Sequence, residues 1–520
     1  MVLVELLVGL FAAAIALAWL ARHLGLPYPI ALVLGGAAIG FVPGLPRLPF
    51  DPNLILVLVL PPILYQAALF TSWRDFRVNL RSISLLAVGL VIATTVAVAA
   101  TLKWLVPELP WAVAFAFGAI VSPPDAVAAT AIMSRMNVPR RIVTLVEGES
   151  LVNDASGLVL YRFAVAAALT GAFSLVEATG EFVLIAAGGI AIGVALARLF
   201  VAIHRRVGDL LMEMTLSLML PYLAYLAAET FHLSGVLAVV AAGLVRGRYA
   251  PEAFSPQARI AAYSLWRVVV FAVNCLVFIM IGLQLPDLVA GLAERSLAQA
   301  IGYGVLLCVV AIVVRLAWVF LGAYVPPLLL AKLGWPERRP PWKNVVVVGW
   351  CGMRGIVSLA AALALPLALS DGTPFPGRDL LVFLAFVVIF VTLVVPGFTL
   401  GPLVRALGVG GDWSVLDEEN LARAATARAA LAEIERLERE RDITPEIAAS
   451  LRSDFEARLA RAAPIALAVA HGDDPWVRGR RALVRAERRR LVALWREGRI
   501  GDEVLHEIER ELDFEESLLG

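Results

Sequence analysis

The segment that decides the fold class is residues 147–154, Glu-Gly-Glu-Ser-Leu-Val-Asn-Asp, which lies inside an apolar run covering about 142–171. A membrane-spanning helix needs roughly 20 mostly apolar residues, and an ionised side chain at its centre costs roughly 2.5–3.5 kcal/mol. Asp154 follows Arg141 by roughly 18 Å of helix, which places it near the middle of a bilayer. Ser150, Asn153 and Asp154 share one helix face. Their oxygens suit a hard, partly dehydrated monovalent cation.

The composition agrees with a membrane protein. Of 520 residues, 60% are hydrophobic and 17% charged, and the mean hydropathy is +0.83. Soluble domains carry roughly 25% charged residues and 45–50% apolar ones. So much apolar surface cannot be buried in water-soluble cores of ordinary size. The sequence therefore predicts an all-α polytopic membrane protein.

Thirteen apolar runs are long enough to be candidate spans. They cover about 2–21, 27–44, 52–70, 80–102, 109–133, 142–171, 178–203, 208–228, 233–248, 265–286, 297–330, 344–368 and 378–407. The two runs whose helices are expected to break are the fifth and the twelfth, seven apart. That spacing is expected if spans 1–6 and 8–13 are inverted repeats.

Lysine and arginine in the predicted loops are distributed unequally between the two sides. One side has Arg47, Lys103, Arg295 and Arg378, and the other has seventeen basic residues. The seventeen are Arg22, Arg74, Arg77, Arg81, Arg135, Arg140, Arg141, Arg205, Arg206, Arg246, Arg248, Arg259, Arg267, Lys332, Arg338, Arg339 and Lys343. Because basic loops stay cytoplasmic, we expect a plasma-membrane protein with its N-terminus outside and its C-terminal tail in the cytoplasm.

The formal net charge of +1 conceals two regions of opposite sign. Residues 408–520 hold 24 acids and 18 arginines, whereas residues 1–407 have a net charge of +7. The predicted domains are therefore a transmembrane domain, 1–407, and a cytoplasmic tail, 408–520. Amphipathic patterns predict tail helices over 415–441, 445–470 and 480–515. A tail with a net charge of −6 argues against nucleic acid as a partner, although the arginine-rich run 478–490 suits anionic lipid.

The fifth run is interrupted by residues 122–125, Ser-Pro-Pro-Asp. Pro123 and Pro124 remove two backbone donors and break the helix, which frees carbonyl groups inside the membrane. Broken helices of this kind form ion sites in secondary transporters. A structural kink in which Asp125 caps the second half-helix is the alternative, and the two roles are compatible.

The twelfth run is interrupted by residues 350–358, Trp-Cys-Gly-Met-Arg-Gly-Ile-Val-Ser. Gly352 and Gly355 allow unwinding opposite the proline break. Arg354 has no acid in its own helix, and an unpaired arginine is costly there. We expect it to form an ion pair with Glu149. Arg315, in the middle of 297–330, is a weaker candidate that reaches the interface or pairs within the protein, and Gln66 faces the site or bridges helices.

The cysteines and histidines do not suggest a cofactor. Three cysteines lie far apart in apolar runs, and five histidines are scattered at segment ends or in the tail. No metal-ligand spacing or disulfide framework results, so no cofactor is expected. An intramembrane enzyme using Ser150 is disfavoured because no histidine or lysine base lies in a nearby span.

These motifs together resemble the sodium/proton antiporters of the NhaP- and NHE-like branch. The resemblance rests on residues 149–154, 122–125 and 352–355, with support from residues 60–62 (Leu-Pro-Pro) and 278–283 (Phe-Ile-Met-Ile-Gly-Leu). It covers about residues 1–407. It implies thirteen helices in a homodimer, with a mobile core domain that carries the broken helices.

The resemblance also implies roles for individual residues. Asp154 would hold a proton or a cation alternately, and Asn153 marks this branch, where an electrogenic relative would have a second Asp. Asp125 and Ser150 would ligate or shape the cation site, with Gln66, Pro123 and Pro124 as accessory residues.

The implied function is electroneutral exchange of Na⁺, or alternatively K⁺ or Li⁺, for H⁺, in the service of pH homeostasis. Two other possibilities stay open: a transporter of another small ion or solute, and a conductive channel. The family usually has Thr-Asp-Pro where this chain has Pro-Asp-Ala at 124–126, and often an acid where Arg267 stands.

Overall fold

A computed structural model describes most of the chain. The described residues are 2–24, 26–43, 52–134, 136, 138–171, 175–292, 296–332, 339–369, 372–410 and 413–461, with 487, 489 and 497. The chain divides into two compact units, Met1–Gly411 and Asp412–Gly520. Each is described separately.

The first unit is a bundle of helices. In chain order they are α1 (Val2–His23), α2 (Tyr28–Gly40), α3 (Pro52–Phe70), α4 (Trp73–Val78), α5 (Leu80–Ser84), α6 (Val91–Leu105), α7 (Trp111–Val121), α8 (Ala126–Met133), α9 (Arg140–Thr170), α10 (Leu175–Val207), α11 (Leu210–Thr230), α12 (Gly235–Ala253), α13 (Pro256–Leu283), α14 (Leu285–Ala290), α15 (Leu297–Lys332), α16 (Trp342–Trp350), α17 (Ile356–Leu363) and α18 (Arg378–Leu407). A π-helical turn, Leu85–Leu90, joins α5 to α6.

Eight helical stretches in the described chain are long and apolar enough to cross a membrane. They are Leu80–Leu105, Trp111–Met133, Arg140–Thr170, Thr179–Val207, Leu210–Thr230, Gln257–Ala290, Leu297–Leu328 and Arg378–Leu407. Three shorter apolar helices lie at Val8–His23, Tyr28–Gly40 and Val57–Phe70. The chain is therefore an all-helical, multi-pass membrane protein. The count of thirteen spans and the inverted repeat remain predictions.

The outer faces of the bundle are apolar. Leu184 on α10 is 67% exposed, Leu211 on α11 is 76% exposed and Val268 on α13 is 68% exposed. Exposed leucine and valine of this extent are expected where helices face acyl chains rather than water.

The start of α13 corrects one part of the loop assignment. Ser255 caps the helix by accepting a hydrogen bond from the Ala258 N–H at 3.2 Å, and Pro256 occupies the first turn. A proline in the first turn after a serine cap is a strong helix start. Arg259 and Arg267, which the sequence analysis counted with a loop, therefore lie within α13.

Small residues bring α2 and α13 into direct backbone contact. A Cβ on Gly36 would collide with the carbonyl of Ile279, and a Cβ on Gly282 would collide with that of Val33. Glycines permit close helix packing of this kind in membranes. The contact holds α13, which carries Phe278 and Asn274, as one wall of the cavity described below.

The second unit contains α19 (Trp413–Glu440) and α20 (Pro445–Arg461). Both agree with the predicted amphipathic helices, although α20 is described only as far as Arg461. Ala427, Ile434 and Ala448 are buried, and Arg452 of α20 donates to Glu438 of α19 at 2.7 Å. The predicted third helix, 480–515, and the arginine-rich run 478–490 lie largely outside the described residues.

Candidate functional site

Both predicted helix breaks are present, and they meet. Helix α7 ends at Val121 and α8 begins at Ala126, while α16 ends at Trp350 and α17 begins at Ile356. The N–H of Asp125 donates to the carbonyl of Met353 at 2.6 Å, which joins the two extended segments directly. Four helix ends therefore come together inside the bundle.

Asp125 lies at the N-terminal end of two half-helices. Its Oδ1 accepts from the Val127 N–H at 2.8 Å, so it caps α8 as the structural alternative proposed. A Cβ on Gly355, the residue before α17, would overlap the Asp125 carboxylate. Glycine at this position therefore allows the close approach. A negative charge here is stabilised by the dipoles of both half-helices.

Arg354 lies at the opposite kind of helix end. Its Nε donates to the carbonyl of Val121, the last residue of α7, at 3.1 Å. Its Nη1 donates to the carbonyl of Gly352 at 2.5 Å. The backbone N–H of Arg354 donates to Thr392 Oγ1 on α18 at 3.3 Å. A cation at a helix C-terminus satisfies carbonyls that the break leaves unpaired.

The predicted ion pair between Glu149 and Arg354 is wrong. Glu149 instead forms a bidentate pair with Arg315, from Nη1 to Oε1 at 2.6 Å and from Nη2 to Oε2 at 2.9 Å. Both side chains are at most 2% exposed. The guanidinium of Arg354 is already engaged by backbone carbonyls, so the acid takes its partner from α15.

Arg315 also stabilises the second break. Its Nε donates to Gly349 O at 3.1 Å and Nη2 to Val348 O at 3.1 Å, at the end of α16. A Cβ on Gly352 would lie 2.5 Å from Cδ of Arg315, so glycine makes room for this side chain. Sequence reasoning undervalued Arg315, although an arginine in the middle of an apolar run was itself the signal.

Helix α9 carries the polar face that packs against the first break. Asn153 Nδ2 donates to the freed carbonyl of Pro124 at 2.7 Å, and Ser150 Oγ accepts from the Ala126 N–H at 3.3 Å. Asn153 Oδ1 is buried without a hydrogen-bond partner. A Cβ on Gly157 would collide with the ring of Pro123. Ser150 and Asn153, two of the three residues predicted to share this face, therefore contact the first break directly.

Asp154 faces a cavity of about 970 Å³. Asp125 and Ser150 line the same cavity, as do Gln66, Glu147 at the start of the 147–154 segment, and Asn274, which the sequence analysis did not select. Asn274 Nδ2 lies 3.5 Å from the hydroxyl of Tyr28, another lining residue. Three carboxylates and the Ser150 hydroxyl thus line one cavity inside an apolar bundle, and such oxygens are the ligands that a cation site requires.

The acids around the cavity can outnumber its buried cations. Glu149 and Arg315 neutralise each other, and Arg354 adds one positive charge. The pair Asp125 and Asp154 can add two negative charges, and the half-buried Glu147 can add a third. An uncompensated carboxylate inside a bilayer is costly. The arrangement favours binding of a proton or a cation at this pair of acids.

A polytopic helical bundle whose two broken helices cross beside buried carboxylates belongs to the class of secondary transporters. Residues 10–406 match the model of the family described as sodium/hydrogen exchanger, transmembrane. The chain therefore belongs to the sodium/hydrogen exchanger family and is a membrane transporter rather than an enzyme.

Individual relatives agree with this assignment. An uncharacterised Na⁺/H⁺ exchanger of Mycobacterium tuberculosis is 34% identical over 98% of this chain and 95% of its own length. The sodium, potassium, lithium and rubidium/H⁺ antiporter of Bacillus pumilus is 38% identical over 71% of this chain and 56% of its own length. The solved structure of MjNhaP1, a sodium proton antiporter from Methanocaldococcus jannaschii, is similar in fold. The superposition includes 79% of this chain and all of the MjNhaP1 chain, with a TM-score of 0.62 and 20% sequence identity.

Proposed function

We propose that the protein exchanges a monovalent cation for a proton by alternating access, with Asp154 holding one or the other. The observation that carries the proposal is the shared cavity of Asp154, Asp125 and Ser150 beside the crossing of the broken helices. Na⁺ is the expected cation, and K⁺ and Li⁺ are the alternatives. The Bacillus pumilus relative is an antiporter for sodium, potassium, lithium and rubidium, which supports testing all three cations.

Competition at one carboxylate is sufficient for antiport. Burial disfavours the bare negative charge, so the carboxylate is stable with a bound proton or a bound cation. The two ligands exclude each other because they use the same oxygens. If the core changes between inward- and outward-facing states only when this site is occupied, exchange is obligatory.

The proposed stoichiometry is one proton per monovalent cation. Asn153 does not titrate, and its amide is engaged by Pro124. The carboxylate of Asp125 already accepts from the Val127 N–H and caps α8, which fits a structural charge that persists through the cycle. Asp154 then carries the exchanged charge, and the cycle is electroneutral.

The cavity suits an inward-facing state. It extends from Asp154 to Glu147, Ser134 and Arg267, towards the ends of α9 and α13 that carry Arg140 and Arg259. The arginine bias assigns that side to the cytoplasm. We further propose a plasma-membrane location with the N-terminus outside, a cytoplasmic tail, a homodimer, and a role in pH homeostasis.

Transport in proteoliposomes tests the proposal. Outward gradients of Na⁺, K⁺ and Li⁺ are applied in turn, and the internal pH is measured for each. We expect the interior to become more acidic as cations leave in exchange for protons. A potential of 100 mV would bias an exchanger that moves one net charge by about 2.3 kcal/mol, or roughly 50-fold. We expect no such bias. Uptake driven by membrane potential alone would contradict electroneutral exchange, and no proton flux with any of the three cations would contradict the proposal as a whole.

A further inference from the structure

A second cavity, of about 500 Å³, lies outside the transport site near the ends of α3, α11, α12 and α13. Among the described residues that line it, the charged ones are the arginines Arg246, Arg248 and Arg259. All three belong to the basic side of the molecule, and none of them lines the transport cavity.

Arg246 is the buried element of this cavity. It is 3% exposed, and its Nη2 donates a hydrogen bond to His204 Nε2 at 2.9 Å. Its guanidinium carbon lies 4.5 Å from the centre of the Phe254 ring. Its Nη1 is buried and has no hydrogen-bond partner. A guanidinium offers five donors, and a buried donor without an acceptor is costly unless something binds there.

The buried carboxylate of Glu213 does not supply the missing hydrogen-bond acceptor for Arg246 Nη1. Glu213 lies on α11 and is 3% exposed, but its Oε2 also lacks a hydrogen-bond partner. The two groups act on each other electrostatically without a hydrogen bond between Arg246 Nη1 and Glu213 Oε2. Arg246 Nη1 is therefore without a hydrogen-bond partner, although the Glu213 carboxylate and the buried Tyr65 hydroxyl both act on this guanidinium electrostatically.

The other two arginines lie at the rim. Arg248 and Arg259 are exposed, and Arg259 Nη1 donates to the carbonyl of Phe254 at 2.7 Å, which holds its side chain along the cavity. Phe70 and Trp73, 41% and 37% exposed, also line the cavity. Aromatic and arginine side chains of this kind gather at the headgroup level of a bilayer.

We propose that this cavity binds the phosphate of an anionic phosphate ester, held by Arg246 inside and by Arg248 and Arg259 at the rim. Arginine forks match phosphate oxygens well. The volume lies within the roughly 300–1,000 Å³ of ordinary ligand sites and exceeds what a bare phosphate fills. The ester's source is either the headgroup of an anionic phospholipid or a soluble phosphate compound.

Thermal unfolding of the purified full-length protein in detergent tests the site. The ligands are phosphatidylglycerol, zwitterionic phosphatidylcholine and inorganic phosphate. We expect phosphatidylglycerol to raise Tm more than phosphatidylcholine does. In Arg246→Gln, and in the double variant Arg248→Gln with Arg259→Gln, the half-saturating concentration should rise about tenfold or more. The control Arg22→Gln removes an exposed arginine from the end of α1 and should leave it unchanged.

The outcomes distinguish a lipid headgroup from a soluble phosphate ester, and both from the absence of a phosphate site. Stabilisation by phosphatidylglycerol alone supports a lipid headgroup, and equal stabilisation by inorganic phosphate supports a soluble ester. Equal effects of the two lipids with no effect of phosphate would overturn the proposal, as would wild-type responses in the arginine variants. If Arg246→Gln does not fold, the double variant still decides, because both of its residues are exposed. Transport does not enter the readout, so the result is independent of the antiport proposal.

Discussion

Asp154→Asn is expected to reduce cation/proton exchange to the rate of protein-free liposomes. The substitution keeps the shape and polarity of the side chain but removes the only group that we propose to exchange a proton for a cation. Because it also removes the cost of a buried charge, Tm should stay equal or rise. Proton flux in proteoliposomes, read with an internal pH dye, gives the first result, and thermal unfolding gives the second.

Two further variants sharpen this test. Asp379→Asn makes the same chemical change at a side chain that is 68% exposed, at the start of α18, and should leave exchange unchanged. Asp154→Glu keeps a titratable carboxyl but displaces it by one methylene, so some exchange with weaker apparent cation affinity should survive. Wild-type exchange in Asp154→Asn would move the site elsewhere.

Removing either partner of the Glu149–Arg315 pair is expected to destabilise the protein by about 3–5 kcal/mol, because each substitution leaves an uncompensated buried charge. Glu149→Ala and Arg315→Ala should therefore each lower the free energy of unfolding by that amount, and the double variant should lose much less than the sum. Unfolding in mixed micelles, titrated with sodium dodecyl sulfate, measures all four proteins. Glu149→Gln replaces Glu149→Ala if the latter does not fold.

The same chain offers matched controls for this cycle. Arg162 Nη2 donates to both carboxylate oxygens of Glu229, at 2.9 and 3.2 Å, but the two side chains are 48% and 30% exposed. The coupling energy between them should therefore be only about 0–1 kcal/mol. Glu149 and Arg354 form no ion pair with each other, so Glu149→Ala combined with Arg354→Ala should show much weaker coupling than Glu149→Ala combined with Arg315→Ala. Strong coupling of Glu149 to Arg354, with additive behaviour of Glu149 and Arg315, would contradict the ion pair described above.

The helix breaks were predictable from sequence because their causes are local. Pro123 and Pro124 lack backbone N–H groups whatever surrounds them, and Gly352 and Gly355 have low helix propensity in any fold. Apolar run length likewise placed most helices of the membrane domain within a few residues, but it missed the start of α13 by nine. The polar face of α9 was predictable from helical periodicity alone, because residues three or four apart lie on the same side of a helix. Ser150 and Asn153 share that face, and both contact the first break.

The partner of Glu149 was not predictable, because it depends on how three separate segments pack. Sequence places Glu149, Arg315 and Arg354 in three different runs and does not reveal that Arg354 reaches back to Val121 O. The choice between two arginines depends on a few ångströms of side-chain reach. The start of α13 differs from this case, since the serine and proline at 255–256 were a readable cap signal.

Proton release on cation binding tests the central claim most directly. NaCl is added to the purified protein in weakly buffered detergent. A pH indicator measures the protons released, and calorimetry measures the number of cations bound. If Asp154 binds a proton or a cation competitively, the wild-type protein releases about one proton per cation at a pH where the site is protonated, and Asp154→Asn releases none. Cation binding without proton release, or undiminished release from Asp154→Asn, would contradict the account.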